Sequence, residues 1–254
     1  MTHDTEPGYL ADQLNTESTD TEQSVLTAWN AVAEAWVDAV RQGRLESREA
    51  VTNPAIVNTI LSLAPGTGLD IGCGEGYYTQ RLQQQKPEYA ITGLDISRDA
   101  IKEACRRTKD IRWLVASGAR PPVSGRSIKT IISLFTPLMP QGLDHALADD
   151  GEIITVNTGP QHLMQLREVI YDEVKAESFS PVAKMADARF IAVDEQKLTY
   201  EVTVPGGDPL VALFNMTPHR WKVSPERAEK LQTIDSLTLE IDVVLHRFRR
   251  QKDS

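Results

Sequence analysis

The 254 residues carry 36 acidic and 27 basic side chains, a formal net charge of -9, and 41% apolar residues. That length suits one substantial α/β domain with appendages, and no apolar run approaches the roughly 20 residues needed to span a bilayer, so a water-soluble, cytoplasmic protein with no membrane partner is expected. Two cysteines, Cys73 and Cys105, and five histidines without HxxxH or HxH spacing supply neither a disulfide framework nor a metal site.

Residues 1–20 are rich in Thr, Asp and Glu and almost free of large apolar side chains, which predicts a disordered acidic leader without the basic start or apolar stretch of a signal peptide. Asp4, Glu6, Asp12, Glu17, Asp20, Glu22, Glu34 and Asp38 all precede the first basic residue, Arg41. The remainder is nearly neutral, so any contact with nucleic acid has to come from a local patch. In a lead-in region of residues 21–64, Trp29, Val32, Trp36, Val37 and Val40 recur at helical spacing and predict an amphipathic helix, its tryptophans read either as core or as a lid over a site. Asn53-Pro54 reads as the N-cap and first position of a second helix carrying Ile56, Ile60, Leu61 and Leu63, which Pro65-Gly66 stops.

From residue 65 to 254 the pattern is that of an α/β domain with a doubly wound, mostly parallel sheet. Short apolar strands fall near 68–71, 91–96, 111–116, 128–135 and 151–157, with helical segments after most of them. A substrate-side extension of about 159–235 follows. It begins with a long helix over GPQHLMQLREVIYDEV and an alternating segment around 188–205, then breaks at Pro205-Gly206-Gly207 before a short apolar helix ending in NMTPHRW. A final strand is predicted over SLTLEIDVVLHRFRR, and its basic end, HRFRRQK, reads as a cluster for phosphates or, more commonly, a solvated chain end.

LDIGCGEGYY, residues 69–78, falls at the first strand-to-helix turn, where such sheets bind nucleotide-like ligands. Gly72, Gly74 and Gly76 remove Cβ atoms there, so a ligand can lie against bare backbone. A dinucleotide site asks for GxGxxG and meets Tyr77 instead of a third glycine, while the lack of a following Gly-Lys-Ser/Thr excludes a P-loop. Asp70, just before the first glycine, opposes a pyrophosphate and suits a cationic ligand. The second strand ends in GLDIS, which puts Asp95 where an acid accepts hydrogen bonds from ribose hydroxyls.

Strand, DxGxGxG, helix, strand and terminal acid in this order resemble the S-adenosylmethionine site of class I methyltransferases. The resemblance implies a Rossmann-like methyltransferase with an N-terminal helical lid. It also implies cofactor contacts at Asp70, Gly72, Cys73, Gly74, Glu75, Gly76, Tyr77, Asp95, Ile96, Ser97, Ala116, Ser117 and Phe135. The glycines would underlie the methionine moiety, with Asp95 on the ribose and Ala116-Ser117 near the adenine.

The acceptor is narrowed at the end of the fourth strand, where Thr136-Pro137-Leu138 does not match the Asn/Asp-Pro-Pro-aromatic box of exocyclic-amine methyltransferases. Neither Cys73 nor Cys105 is placed for the thiolate attack of cytosine C5 methylation. The stretch from 69 to about 221 resembles the bacterial 23S rRNA (guanine-N1)-methyltransferases. The resemblance rests on LDIGCGEGYYT, GLDIS followed by AIKEA, VAS followed by a Pro-Val-Ser segment, the IIS strand, TGPQHLMQLREVIYDEV and MTPHRW. It implies that His162 also meets the cofactor. The Cys/His zinc module with which that family begins has no counterpart before Cys73, and WNAVAEAW with AVTNPAIVNTILSLAP resembles the lid of small-molecule methyltransferases. The expected acceptor is guanine N1 of ribosomal RNA. A small-molecule acceptor is the alternative, and S-adenosylmethionine binding without catalysis the second alternative. His162, Glu75 and His219 are candidates for a catalytic base or orienting group, and Arg120 and Arg126 for facing substrate.

Overall fold

A computed structural model describes residues 53–62, 67–174, 180–215 and 217–251; the predicted leader, the tryptophan-bearing helix and the Pro65-Gly66 stop lie outside these residues. The elements run α1 (Asn53–Ser62), β1 (Thr67–Ile71), α2 (Tyr77–Gln85), β2 (Ala90–Asp95), α3 (Arg98–Arg107), β3 (Arg112–Val115), β4 (Ile128–Leu134), α4 (Pro140–Ala146) and β5 (Leu147–Thr158). There follow α5 (Met164–Ile170), α6 (Pro181–Ala186), β6 (Phe190–Pro205), α7 (Asp208–Asn215), a 3-10 turn at Pro218–Trp221, α8 (Pro225–Glu229), a second at Lys230–Gln232, and β7 (Ser236–Arg250). The chain divides into two compact units: residues 53–159, 180–199 and 242–251, and residues 160–174 and 200–241, among those described.

The first of these is the sheet unit. Strand order is β3-β2-β1-β4-β5-β7-β6, with β1 to β5 paired in parallel and β7 antiparallel to β5. This is the expected doubly wound, mostly parallel architecture, and its order reverses between β1 and β4, the place where open α/β sheets bind ligands beyond the carboxyl ends of their strands. Strands covered on both faces read as continuous apolar runs. Leu69, Ile131, Ile132, Ile153, Ile154 and Val156 accordingly lie buried in the three central strands.

Strand β5 starts at Leu147, not at the expected 151. Asp149-Asp150-Gly151 has the composition of a turn, yet a register shift between the Ile128/Leu147 and Thr130/Glu152 pairs absorbs it. Asp149 and Asp150 there meet Arg126 and Lys129. At the basic end of β7 three arginines share two carboxylates, and the Arg249 side chain stays 56% exposed. Arg247 and Arg249 meet Glu152, and Arg250 meets Asp144 while donating to the Asp144 and Leu147 carbonyls and covering the Phe190 ring. His246 is buried with Nε2 3.3 Å from Glu195 Oε2.

The second unit packs Leu163, Leu166 and Ile170 against Leu210, Phe214, Leu231 and Leu239. The long helix expected over 159–174 is helical only in α5. Leu163 adopts a left-handed backbone with φ 53° and donates its N–H to Glu240 O, so the preceding residues turn; Tyr171 is extended at φ -118° and ends the helix.

Candidate functional site

The turn after β1 is built by backbone hydrogen bonds. Gly72 N and Cys73 N both donate to Leu94 O, at 2.7 and 3.0 Å, and Gly76 N donates to Cys73 O at 2.9 Å. Gly72, Gly74 and Gly76 all have positive φ, at 74°, 56° and 82°, which favours glycine over residues with a Cβ. Helix α2 then starts at Tyr77. The side chain of Asn53 donates to Tyr77 Oη at 2.9 Å and accepts from Tyr78 Oη at 2.6 Å, tying α1 to the start of α2.

Two carboxyl groups lie beneath this turn. Asp70 is 2% exposed and accepts a 2.6 Å hydrogen bond from Thr79 Oγ1. Burial pushes its pKa up to about 7, against the Thr79 bond and helped by the charge of Asp95. Asp95 uses Oδ2 to accept from Gly74 N at 2.8 Å and Oδ1 to accept from Ser97 N at 2.7 Å. Its pKa is raised by burial, with these backbone donors opposing the shift. Burial, with the neighbouring Asp70 and Asp95 charges, also raises the Cys73 thiol well above its ordinary value, so it is no nucleophile at neutral pH. The setting is acidic and opposes a pyrophosphate.

Around this centre, Ala116 N donates to Asp95 O at 3.0 Å, Ser117 Oγ accepts from Ala119 N at 3.2 Å, and Ser97 Oγ caps α3 by accepting from Ala100 N. Ile96 is half-buried between Asp95 and that cap. Phe135 follows β4 with φ 53°, held by its N–H donating to Val156 O at 2.8 Å. A bulky residue held there stores strain of the kind that collects at functional sites. The sheet unit thus gathers Asp70, the glycine turn and Asp95 with Ser97 and Ala116. Glu75 is buried and ion-paired to Arg107 at 2.8 Å, which commits the carboxylate to α3. Arg126 pairs with Asp149, and Arg120 N donates to Ser117 O.

The other two base candidates lie in the second unit. His219 Nδ1 is 3.1 Å from Tyr171 Oη, with the rings edge to face. Burial lowers the His219 pKa to about 4, assisted by Arg167, Lys222 and His162, and burial raises that of Tyr171. At neutral pH the imidazole is therefore neutral and the phenol protonated. Arg167 is buried and donates to Pro160 O at 3.3 Å. Tyr171 and Arg167 sit in the TGPQHLMQLREVIYDEV motif and Thr79 in LDIGCGEGYYT, but neither motif gives their roles; Arg107 and Trp113, which brace Glu75 and the glycine turn, carry no local signal.

Residues 69–150 match a family model described as a methyltransferase domain. A Bacillus subtilis (strain 168) protein named for 23S rRNA (guanine-N(1)-)-methylation is 30% identical over 70% of this chain and 64% of its own length. A trans-aconitate 2-methyltransferase of Rhodopseudomonas palustris (strain HaA2) is 28% identical over 56% of this chain and 60% of its own. The chain thus spans less than two thirds of either relative. A crystallised Bacillus halodurans C-125 protein assigned to the methyltransferases shares the fold with a TM-score of 0.56, at 13% identity, over 77% of this chain and 99% of that one. Among the described residues no cluster of His, Cys, Asp and Glu is arranged to hold a metal ion, and no helix is long and apolar enough to cross a membrane.

Proposed function

We propose that this chain, whose residues 69–150 are a class I S-adenosylmethionine-dependent methyltransferase domain, transfers a methyl group to N1 of a guanine in ribosomal RNA. The residues fit the cofactor. A Cβ at Gly74 would meet nothing within 4 Å, leaving open backbone, and the carboxyl groups of buried Asp70 and half-buried Asp95 suit a cation. When bound, S-adenosylmethionine supplies an electrophilic methyl carbon on a sulfonium. In our reading the glycine turn holds the methionine end, Asp95 the ribose, and Ala116-Ser117 the adenine side.

The observation that carries the guanine reading is the meeting of the two motifs on which the family resemblance rests. Residues from TGPQHLMQLREVIYDEV and from MTPHRW form one cluster of Arg167, Tyr171 and His219. Guanine N1 bears a proton at neutral pH that must leave when the methyl group arrives. A neutral imidazole can accept or relay that proton, and the positive charges of Arg167 and Lys222 favour the lactam anion left behind. A small carboxylic acid is the second reading, favoured by the trans-aconitate relative; the same cationic cluster would meet its carboxylate.

The test is nucleoside mass spectrometry of unmodified ribosomal RNA transcripts after incubation with the full chain and S-adenosylmethionine. Expected are 1-methylguanosine with the wild type and at least about a tenfold slower yield with Tyr171→Phe or His219→Gln at unchanged cofactor affinity. No methylated guanosine would overturn the guanine reading, and undiminished rates in both variants would overturn the roles given to Tyr171 and His219.

A further inference from the structure

The three glycines of the turn are bare for different reasons. A Cβ at Gly72 would stand 2.6 Å from Thr136 Oγ1, so that vacancy is filled by the residue that follows Phe135 after β4. A Cβ at Gly76 would overlap the indole of Trp113, and so would one at Gly93 on β2. Only Gly74 of the three faces open space. Its N–H is also the one held by the Asp95 carboxylate.

We propose that the cofactor meets bare backbone at Gly74 alone, and that Trp113 is a positioning residue whose indole, seated against Gly76 and Gly93, holds that receiving face in place. The inference rests on the S-adenosylmethionine reading of this site. Trp113 lies on β3 opposite Gly93 in the parallel register, and its Nε1–H donates to Thr108 O at 3.3 Å, which fixes the ring at its far edge. A rigid ring between two glycines of different elements sets the distance from the turn to β2, and with it the distance from Gly74 to Asp95. Shrinking the ring frees that distance without touching the ligand.

Calorimetric titration of the full chain with S-adenosylmethionine, paired with ligand-free thermal unfolding, tests both parts. Asn tolerates a left-handed backbone better than other residues with a Cβ. Gly74→Asn should therefore keep a melting temperature close to the wild type while its Kd rises at least about tenfold; Gly74→Ala serves as the second probe. Gly72→Ala and Gly76→Ala should lower the melting temperature instead. Trp113→Ala should raise Kd about tenfold at a temperature where it is still folded, with Trp113→Phe recovering most of the loss. The thermal cost of Gly76→Ala should shrink in the Trp113→Ala background, where the added methyl has room. Wild-type affinity in folded Gly74→Asn and Gly74→Ala, or in Trp113→Ala, would overturn the inference alone. A wild-type chain that binds no S-adenosylmethionine would overturn the cofactor reading and the inference together.

Discussion

Replacing Asp70 with asparagine should change how stability depends on pH, by an amount that follows from burial. The carboxyl is 2% exposed with a pKa raised from 3.8 to about 7, chiefly by desolvation. A folded-state pKa above the unfolded one means that the folded protein binds more protons between those values, so the stability present below about pH 4 is lost as pH rises through 7. At about 1.4 kcal/mol for each factor of ten between the two acid constants, the loss approaches about 4 kcal/mol, of which about 2–3 kcal/mol falls between pH 5 and 7.5. The carboxamide introduced by Asp70→Asn would keep an acceptor for Thr79 Oγ1 and carry no charge at any pH. Urea unfolding of the ligand-free chain and of Asp70→Asn at pH 5, 6, 7 and 7.5 reads the effect, because titrating groups distant from Asp70 cancel in the difference. The variant should gain about 2–3 kcal/mol on the wild type across that range. A difference that stays constant within about 0.5 kcal/mol would show that Asp70 is not desolvated as described.

Two further outcomes follow. Arg107→Ala leaves the Glu75 carboxylate buried without its guanidinium and should cost about 3 kcal/mol in urea unfolding; a loss under about 0.5 kcal/mol would mean the pair is a surface contact in effect. The His219 ring should titrate near 4 by proton NMR, and Lys222→Met should move its midpoint upward by removing a neighbouring positive charge; a midpoint near 6.5 in the wild type would contradict the buried cluster. Because that folded pKa lies below the unfolded value of 6.5, the stability tied to a neutral His219 is present above 6.5 and is lost as pH falls towards 4.

The parallel half of the fold was legible because its strands are short apolar runs bounded by turn residues, and the glycine turn because backbone without Cβ is written directly in the sequence. Three things were not. Asp149-Asp150-Gly151 has turn composition, yet β5 carries it as an irregularity, since pairing on both sides outweighs local preference. HRFRRQK has the composition of a surface tail, but its three arginines pair with Glu152 on β5 and Asp144 on α4, about a hundred residues earlier. Gly72, Gly74 and Gly76 read as equivalent because a sequence shows that a Cβ is missing and not what fills its place; Thr136 and Trp113 fill two of the three. His162 and His219 stand out in their motifs, whereas Tyr171 gains its partner only because the turn at Pro218–Trp221 brings His219 to it.

The central claim, methyl transfer to guanine N1 of ribosomal RNA, is tested most directly by following tritium from labelled S-adenosylmethionine into two acceptor pools offered together: ribosomal RNA lacking its natural methylations, and a small-metabolite mixture containing trans-aconitate. Label is predicted in the RNA, released on digestion as 1-methylguanosine. Label confined to the small-molecule pool would contradict the claim and assign the cationic cluster around His219 to a carboxylate acceptor.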